Sequence, residues 1–189
     1  MAALARLSFD DMLDADQELA ARAAAGEVAA FRQLLDRHYG LLYRVAYRFL
    51  GSAADAEDVA QETALSLATR IGQYRGESRF TTWLYRVAVN ACRDQARRQA
   101  SARHAHAAYA AAEQGWKGDW ADSDRRMQWL YRAIDRLDPA LKETVLLVVA
   151  EDLSHAEAGK ILGVKEKTVS WRMHEVRKRL KVMASTTDD

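Results

Sequence analysis

Two stretches of this 189-residue sequence carry side chains suited to gripping a polyanion. In the middle of the chain, Trp83, Tyr85, Arg86, Asn90, Arg93, Arg97 and Arg98 share one helical stretch. Aromatic faces can stack on unpaired bases, an amide can hydrogen-bond a base edge, and arginines can track a phosphate backbone. Just before it lie Tyr74, Arg75, Ser78 and Arg79 around Gly72 and Gly76, a loop able to hold an extruded base. A place in the core is the alternative open to Trp83. Near the C-terminus, Lys165, Lys167, Ser170, Trp171, Arg172, Glu175 and Lys178 project from one helix whose Val164, Thr168 or Val169, Met173, Val176 and Leu180 form its buried side. Such a face can read base edges and grip phosphates in a major groove.

Catalytic chemistry finds no constellation. His104 and His106 flank one alanine, with no cysteine or carboxylate pair nearby to complete a metal shell. Cys92 is the only cysteine, so no internal disulfide can form. Its arginine neighbours fit a redox-sensing thiolate, and a buried inert thiol is the alternative. No glycine-rich phosphate loop is present. The expectation is no catalytic site, no metal and no cofactor.

The elements that must position these residues are helices. One proline and 9 glycines leave long stretches uninterrupted. Phe31, Leu34, Leu35, Leu42, Val45, Ala46 and Phe49 recur at helical steps. Gly51 suits a helix end, and Ser52 with Asp55 suits the start of the next, running to about Arg70. Residues 71–78 read as a loop, followed by a helix from about Phe80 to Arg98. Asp138-Pro139 opens a helix over Ala140–Ala150. Ser154 with Glu157 has capping-box spacing, Gly163 ends that short helix, and a basic helix runs from Lys165 to about Lys181. Short helix, glycine turn, basic helix is the helix-turn-helix arrangement.

The fold class is therefore all-α: two small helical domains joined by a flexible linker. The expected division is an acidic N-terminal segment (1–15), a helical domain (16–100), a linker (101–123), a helix-turn-helix domain (124–183) and a tail (184–189). Trp116 and Trp120 sit in the linker, either packed within the chain or docked on a partner. Net charge is only +1, but Asp10, Asp11, Asp14, Asp16 and Glu18 crowd one end while the basic residues form two separate clusters. The acidic end is expected to shield those basic surfaces, so that removing Met1 to Asp16 raises DNA affinity. The N-terminus lacks a secretory signal, and the apolar run Thr144–Ala150 is too short to span a bilayer, which implies a cytoplasmic protein without membrane insertion.

DAEDVAQET (Asp55–Thr63), followed by RFTTWLYRVAVNACRDQARR (Arg79–Arg98), resembles the second conserved region of extracytoplasmic-function (ECF) sigma factors, the small promoter-recognition subunits of bacterial RNA polymerase. LDPALKETVLLVVAEDLSHAEAGKILGVKEKTVSWRMHEVRKRL (Leu137–Leu180) resembles their fourth region. The resemblance implies a first, promoter-melting domain that binds core RNA polymerase through Asp58, Gln61, Glu62 and Leu65. That domain would read the melted non-template strand of the −10 element through Tyr74, Arg75, Ser78, Arg79, Arg86, Asn90, Arg93 and Arg97. The helix-turn-helix domain would read the duplex −35 element through Lys165, Lys167, Thr168, Ser170, Trp171, Arg172, Glu175 and Lys178. Apolar surface near Leu137–Val149 would meet the polymerase flap, and an anti-sigma factor would regulate the whole.

The chain departs from the family pattern at Ala158-Gly159, where glycine weakens helix propensity and implies a loosened helix-turn-helix. Lys167 and Trp171 also replace commoner small residues, which leaves the promoter sequence open. Two other readings remain: a helix-turn-helix regulator acting without polymerase, and a sigma mimic that only binds an anti-sigma factor.

Overall fold

The computed structural model describes residues 9–106 and 125–185, with side chains over 15–102 and 127–185. Four helices form the N-terminal part: α1 (Phe9–Ala24), α2 (Val28–Leu50), α3 (Ala53–Arg70) and α4 (Phe80–His106). Four more follow: α5 (Arg125–Asp135), α6 (Pro139–Val145), α7 (His155–Leu162) and α8 (Glu166–Ser185). No strand occurs among the described residues, as the helical periodicity requires.

The N-terminal core is built from the expected stripes. Leu42, Val45, Ala46 and Phe49 of α2 face Ala56, Val59, Ala60 and Leu67 of α3 and Leu84, Ala88 and Val89 of α4. Leu42 and Leu84 are fully enclosed, each worth about 1.5–3 kcal/mol of transfer free energy. Gly51 ends α2 in the left-handed conformation, and the Ser52 hydroxyl accepts from the Asp55 amide at 3.3 Å to start α3. Ile71 and Phe80, both buried, pin the two ends of the intervening loop.

The helix α1 crosses the expected boundary at residue 15 and belongs to this core. Leu19, Ala20 and Ala23 are buried against the bundle. Asp16 is buried as well, with its carboxylate 3.0 Å from Arg37 Nη1 and 2.8 Å from His38 Nε2. The shield reading therefore fails at Asp16, which is an internal anchor. Asp10, Asp11 and Asp14 lie outside the described side chains.

Two further elements differ from expectation. The helix α4 runs on to His106 instead of stopping near Arg98, because Ala100, Ala102 and Ala105 keep helix propensity high. The helix expected over Ala140–Ala150 divides into α6 and a π turn at Leu146–Ala150, closed by the Glu151 amide on the Leu146 carbonyl at 3.0 Å. Trp116 and Trp120 fall outside the described residues.

Candidate nucleic-acid interface

The C-terminal face starts from the cap of α7. The Ser154 hydroxyl accepts from the Glu157 amide while the Glu157 carboxylate accepts from the Ser154 amide at 3.0 Å, a complete capping box. These bonds hold the Glu157 carboxyl below its usual range. Gly163 closes α7 in the left-handed conformation, where an L side chain is strained. The expected loosening at Gly159 is absent. A Cβ there would stand 2.8 Å from the Val164 carbonyl, so glycine is what lets the turn close tightly.

This turn aims α8. Val169, Met173 and Val176 are buried on α6 and α7, as the spacing required. Lys165, Lys167, Ser170, Trp171 and Lys178 are exposed, Trp171 to 62%, a large apolar side chain left in solvent. Thr168 is half-buried. Arg172 turns back towards the Thr144 hydroxyl (3.4 Å), and Glu175 pairs with Arg179 at 3.1 Å, so these two lean away from the exposed stripe. Sequence reasoning missed His174, exposed between Trp171 and Lys178 at helical spacing, a signal readable from the period alone. It also missed His155, whose Nδ1 lies 2.9 Å from the Ser170 hydroxyl and orients it from α7.

The N-terminal face follows α4. Arg86, Asn90 and Arg97 are exposed and Arg93 is half-buried, Arg86, Asn90 and Arg93 on one side at i, i+4 and i+7. In the preceding loop Arg75 and Arg79 are exposed and Ser78 is half-buried. Tyr74 is half-buried and its one hydroxyl hydrogen faces two acceptors, the Ser78 carbonyl at 2.7 Å and Gln17 Oε1 of α1. Its ring packs on Phe80 (5.7 Å between centroids) and Trp83 (5.6 Å). Tyr74 thus shapes the loop from within, and Gln17, which also accepts from the Phe80 amide at 3.1 Å, fastens it to α1. Tyr85, grouped with the stacking residues by composition, is buried, with its hydroxyl on Glu151 at 2.8 Å. Cys92 is buried too, and desolvation first and Glu143 second push its thiol up to about 12, away from thiolate chemistry.

A third face lies on α3. Asp58, Gln61, Glu62 and Leu65 are all exposed, Leu65 to 78%, beside a groove that Gln95 and Arg98 of α4 complete. Glu62 pairs with Arg98 at 3.0 Å across that groove, and Gln61 donates to Glu57 at 2.8 Å. Both partners of the ion pair are solvated, so a protein ligand can exchange it at little cost. No group of three or more His, Cys, Asp or Glu side chains is placed to hold a metal among the described residues. No described helix is long and apolar enough to cross a membrane.

Residues 34–102 match the family model for sigma-70 region 2, and residues 127–180 match that for sigma-70 region 4. The ECF RNA polymerase sigma factor SigM of Mycobacterium tuberculosis (strain ATCC 25618 / H37Rv) is 33% identical over 87% of this chain and 82% of its own length. The chain belongs to the ECF family of RNA polymerase sigma factors. SigW of Bacillus subtilis (strain 168), another ECF sigma factor, is 28% identical over 82% of this chain and 89% of its own length. A solved structure of CnrH in complex with the cytosolic domain of CnrY superposes with a TM-score of 0.68 at 28% identity, covering 92% of this sigma factor and 99% of that chain. As a sigma factor, the protein directs promoter-specific transcription initiation, with region 2 carrying the α3 and α4 faces and region 4 carrying α8.

Proposed function

We propose that the three faces of this sigma factor divide the work of initiation as follows. Region 4, bounded here at 124–183, seats α8 in the major groove of the −35 element. Lys165, Lys167 and Lys178 grip phosphates there, Ser170 and Trp171 meet base edges, and Thr168, Arg172 and Glu175 lie at the margin. Region 2, taken with α1 as one unit from α1 through α4, captures the unpaired non-template strand of the −10 element. Arg75, Ser78 and Arg79 line the capture loop that Tyr74 shapes, while Arg86, Asn90, Arg93 and Arg97 follow the strand along α4. Asp58, Gln61, Glu62 and Leu65 bind core polymerase. The protein works by binding alone, in the cytoplasm, and an anti-sigma factor regulates it. The CnrH structure, which carries a cytosolic protein domain on the same fold, supports a protein partner.

The observation that carries this reading is α8 itself. Buried Val169, Met173 and Val176 stand opposite exposed Lys167, Ser170, Trp171 and Lys178 on a helix aimed by a complete capping box and a tight glycine turn. Duplex contact energy from α8 and strand capture by α4 both favour the melted promoter. Run-off transcription with purified core polymerase and a genomic promoter library tests it. Transcripts that appear only with this protein and share two spaced elements are expected. Core binding without transcripts contradicts it and leaves a mimic, whereas duplex binding without core binding leaves an ordinary regulator.

A further inference from the structure

Ser170 stands fifth in α8, in the N-terminal half that a helix-turn-helix brings nearest the base edges. A serine hydroxyl carries one hydrogen and two lone pairs. Left free it rotates, donating to an acceptor on one base and accepting from an amine on another, so it discriminates poorly. In this chain it is not free. Its Oγ lies 3.2 Å from the Glu166 carbonyl, one turn back in α8, and 2.9 Å from Nδ1 of His155 on α7.

These two neighbours use up the single hydrogen. In one arrangement the hydroxyl donates to the Glu166 carbonyl and His155 Nδ1–H donates to the hydroxyl, which leaves one lone pair unused. In the other the hydroxyl donates to Nδ1, the imidazole carries its hydrogen on Nε2, and both lone pairs remain. Either way the hydroxyl offers the groove an acceptor and no hydrogen.

The pair is held by rigid parts. His155 is half-buried and is the first residue of α7, next to the Ser154–Glu157 capping box. Buried Ala158, Ile161 and Val169 pack α7 on α8, and the Val164 amide donates to the Gly159 carbonyl at 2.9 Å in the turn between them. Ser170 itself is exposed, and so are Lys167, three residues before it, and Trp171, next to it. Those two side chains carry only donors, so Ser170 supplies the complementary group between them.

We infer that His155 is a positioning residue for promoter reading: it engages the Ser170 hydroxyl so that α8 selects adenine or cytosine over guanine or thymine at one position of the −35 element. The inference rests on the assignment of α8 to the duplex −35 element. Adenine and cytosine present an exocyclic amine in the major groove, N6 and N4, where guanine and thymine present the oxygens O6 and O4. Opposite an acceptor-only hydroxyl, an amine gains a bond. A keto oxygen meets a lone pair instead, and both groups lose water without a partner.

A set of −35 duplexes carrying every single base change at one identified promoter, bound by the core-associated chain, tests this. For the unmodified chain, one position should favour A and C over G and T on one strand by about five- to tenfold. Ser170→Ala should flatten that position alone. His155→Ala should bring the four bases at that same position within about twofold of one another, because the remaining bond to Glu166 is long and the hydroxyl can leave it to donate. Other positions should keep their preferences. His155→Asn, whose amide stands where Nδ1 does, should preserve the choice of A and C. Urea melts check that each variant folds. A His155 that only supports the fold, or only touches a phosphate, would on substitution weaken binding to all the duplexes alike, and that result overturns the inference. So does a position that Ser170→Ala flattens and His155→Ala leaves selective, or one that favours G or T. If Lys167→Ala and Trp171→Ala weaken duplex binding while Ser170→Ala changes no position, this inference alone falls. If none of the α8 substitutions alters duplex binding, the assignment of α8 falls with it.

Discussion

The carbonyl oxygen of Val164 lies 2.8 Å from the point that a Cβ on Gly159 would occupy. Glycine inside α7 gives up about 1 kcal/mol of helix propensity relative to alanine. A backbone carbonyl cannot swing aside as a flexible side chain can, and overpacking of this kind costs about 1–3 kcal/mol. Gly159→Ala is therefore expected to lose up to about 2 kcal/mol of stability despite its better propensity, and to weaken −35 duplex binding by tilting α8. Urea titration reads the first effect and duplex anisotropy the second.

Deleting Met1 to Asp16 is expected to destabilise region 2. It removes a carboxylate with 8% side-chain exposure and leaves Arg37 and His38 without it. The loss should be about 1–3 kcal/mol, the cost of an unsatisfied buried partner, and Asp16→Ala should reproduce most of it. Duplex affinity at low salt should not rise. The urea midpoint of the full chain checks the first statement and duplex anisotropy the second.

The cap of α7 carries a pH dependence of known sign. The Glu157 carboxyl is held below its usual range in the folded chain, by Ser154 first. Its stabilisation is therefore present above the unfolded value near 4.5 and is lost as pH falls through the lower folded value. Ser154→Ala should cost about 1 kcal/mol at neutral pH, and that difference should shrink on acidification below about pH 4. Thermal melts of both proteins across that range measure it.

Trp171 is 62% exposed and packs little against its own domain. Trp171→Ala should leave stability within about 0.5 kcal/mol. Duplex −35 binding should weaken by about 1–3 kcal/mol, with the change concentrated at one or two base positions. Promoter-library selection with the variant locates those positions.

What was legible in the sequence was local. Ser154 with Glu157, Gly163, Asp138-Pro139 and Gly51 each act within one helical turn, and each stands where its chemistry places it. The apolar spacing of α2, α4 and α8 also gave the buried faces. The longer-range features were hidden. Nothing within a few residues of Glu151 or Glu143 names Arg44, Arg48 or Arg93 as a partner, because those contacts join residues 50 or more positions apart. Tyr85 shared a composition with stacking residues, yet its neighbours on α4 turn it inward. The tightness of the Gly159 turn depends on where the Val164 carbonyl goes, which propensity does not encode.

The division of labour between α4 and α8 can be measured on two probes with the core-bound chain at one identified promoter. One probe is a duplex bearing only the −35 element, and the other is a forked junction bearing only a single-stranded −10 element. Lys167→Ala should weaken the first about tenfold and leave the second unchanged, while Asn90→Ala should do the reverse. Equal losses on both probes, or no loss from either variant, would contradict the assignment of duplex reading to α8 and strand capture to α4.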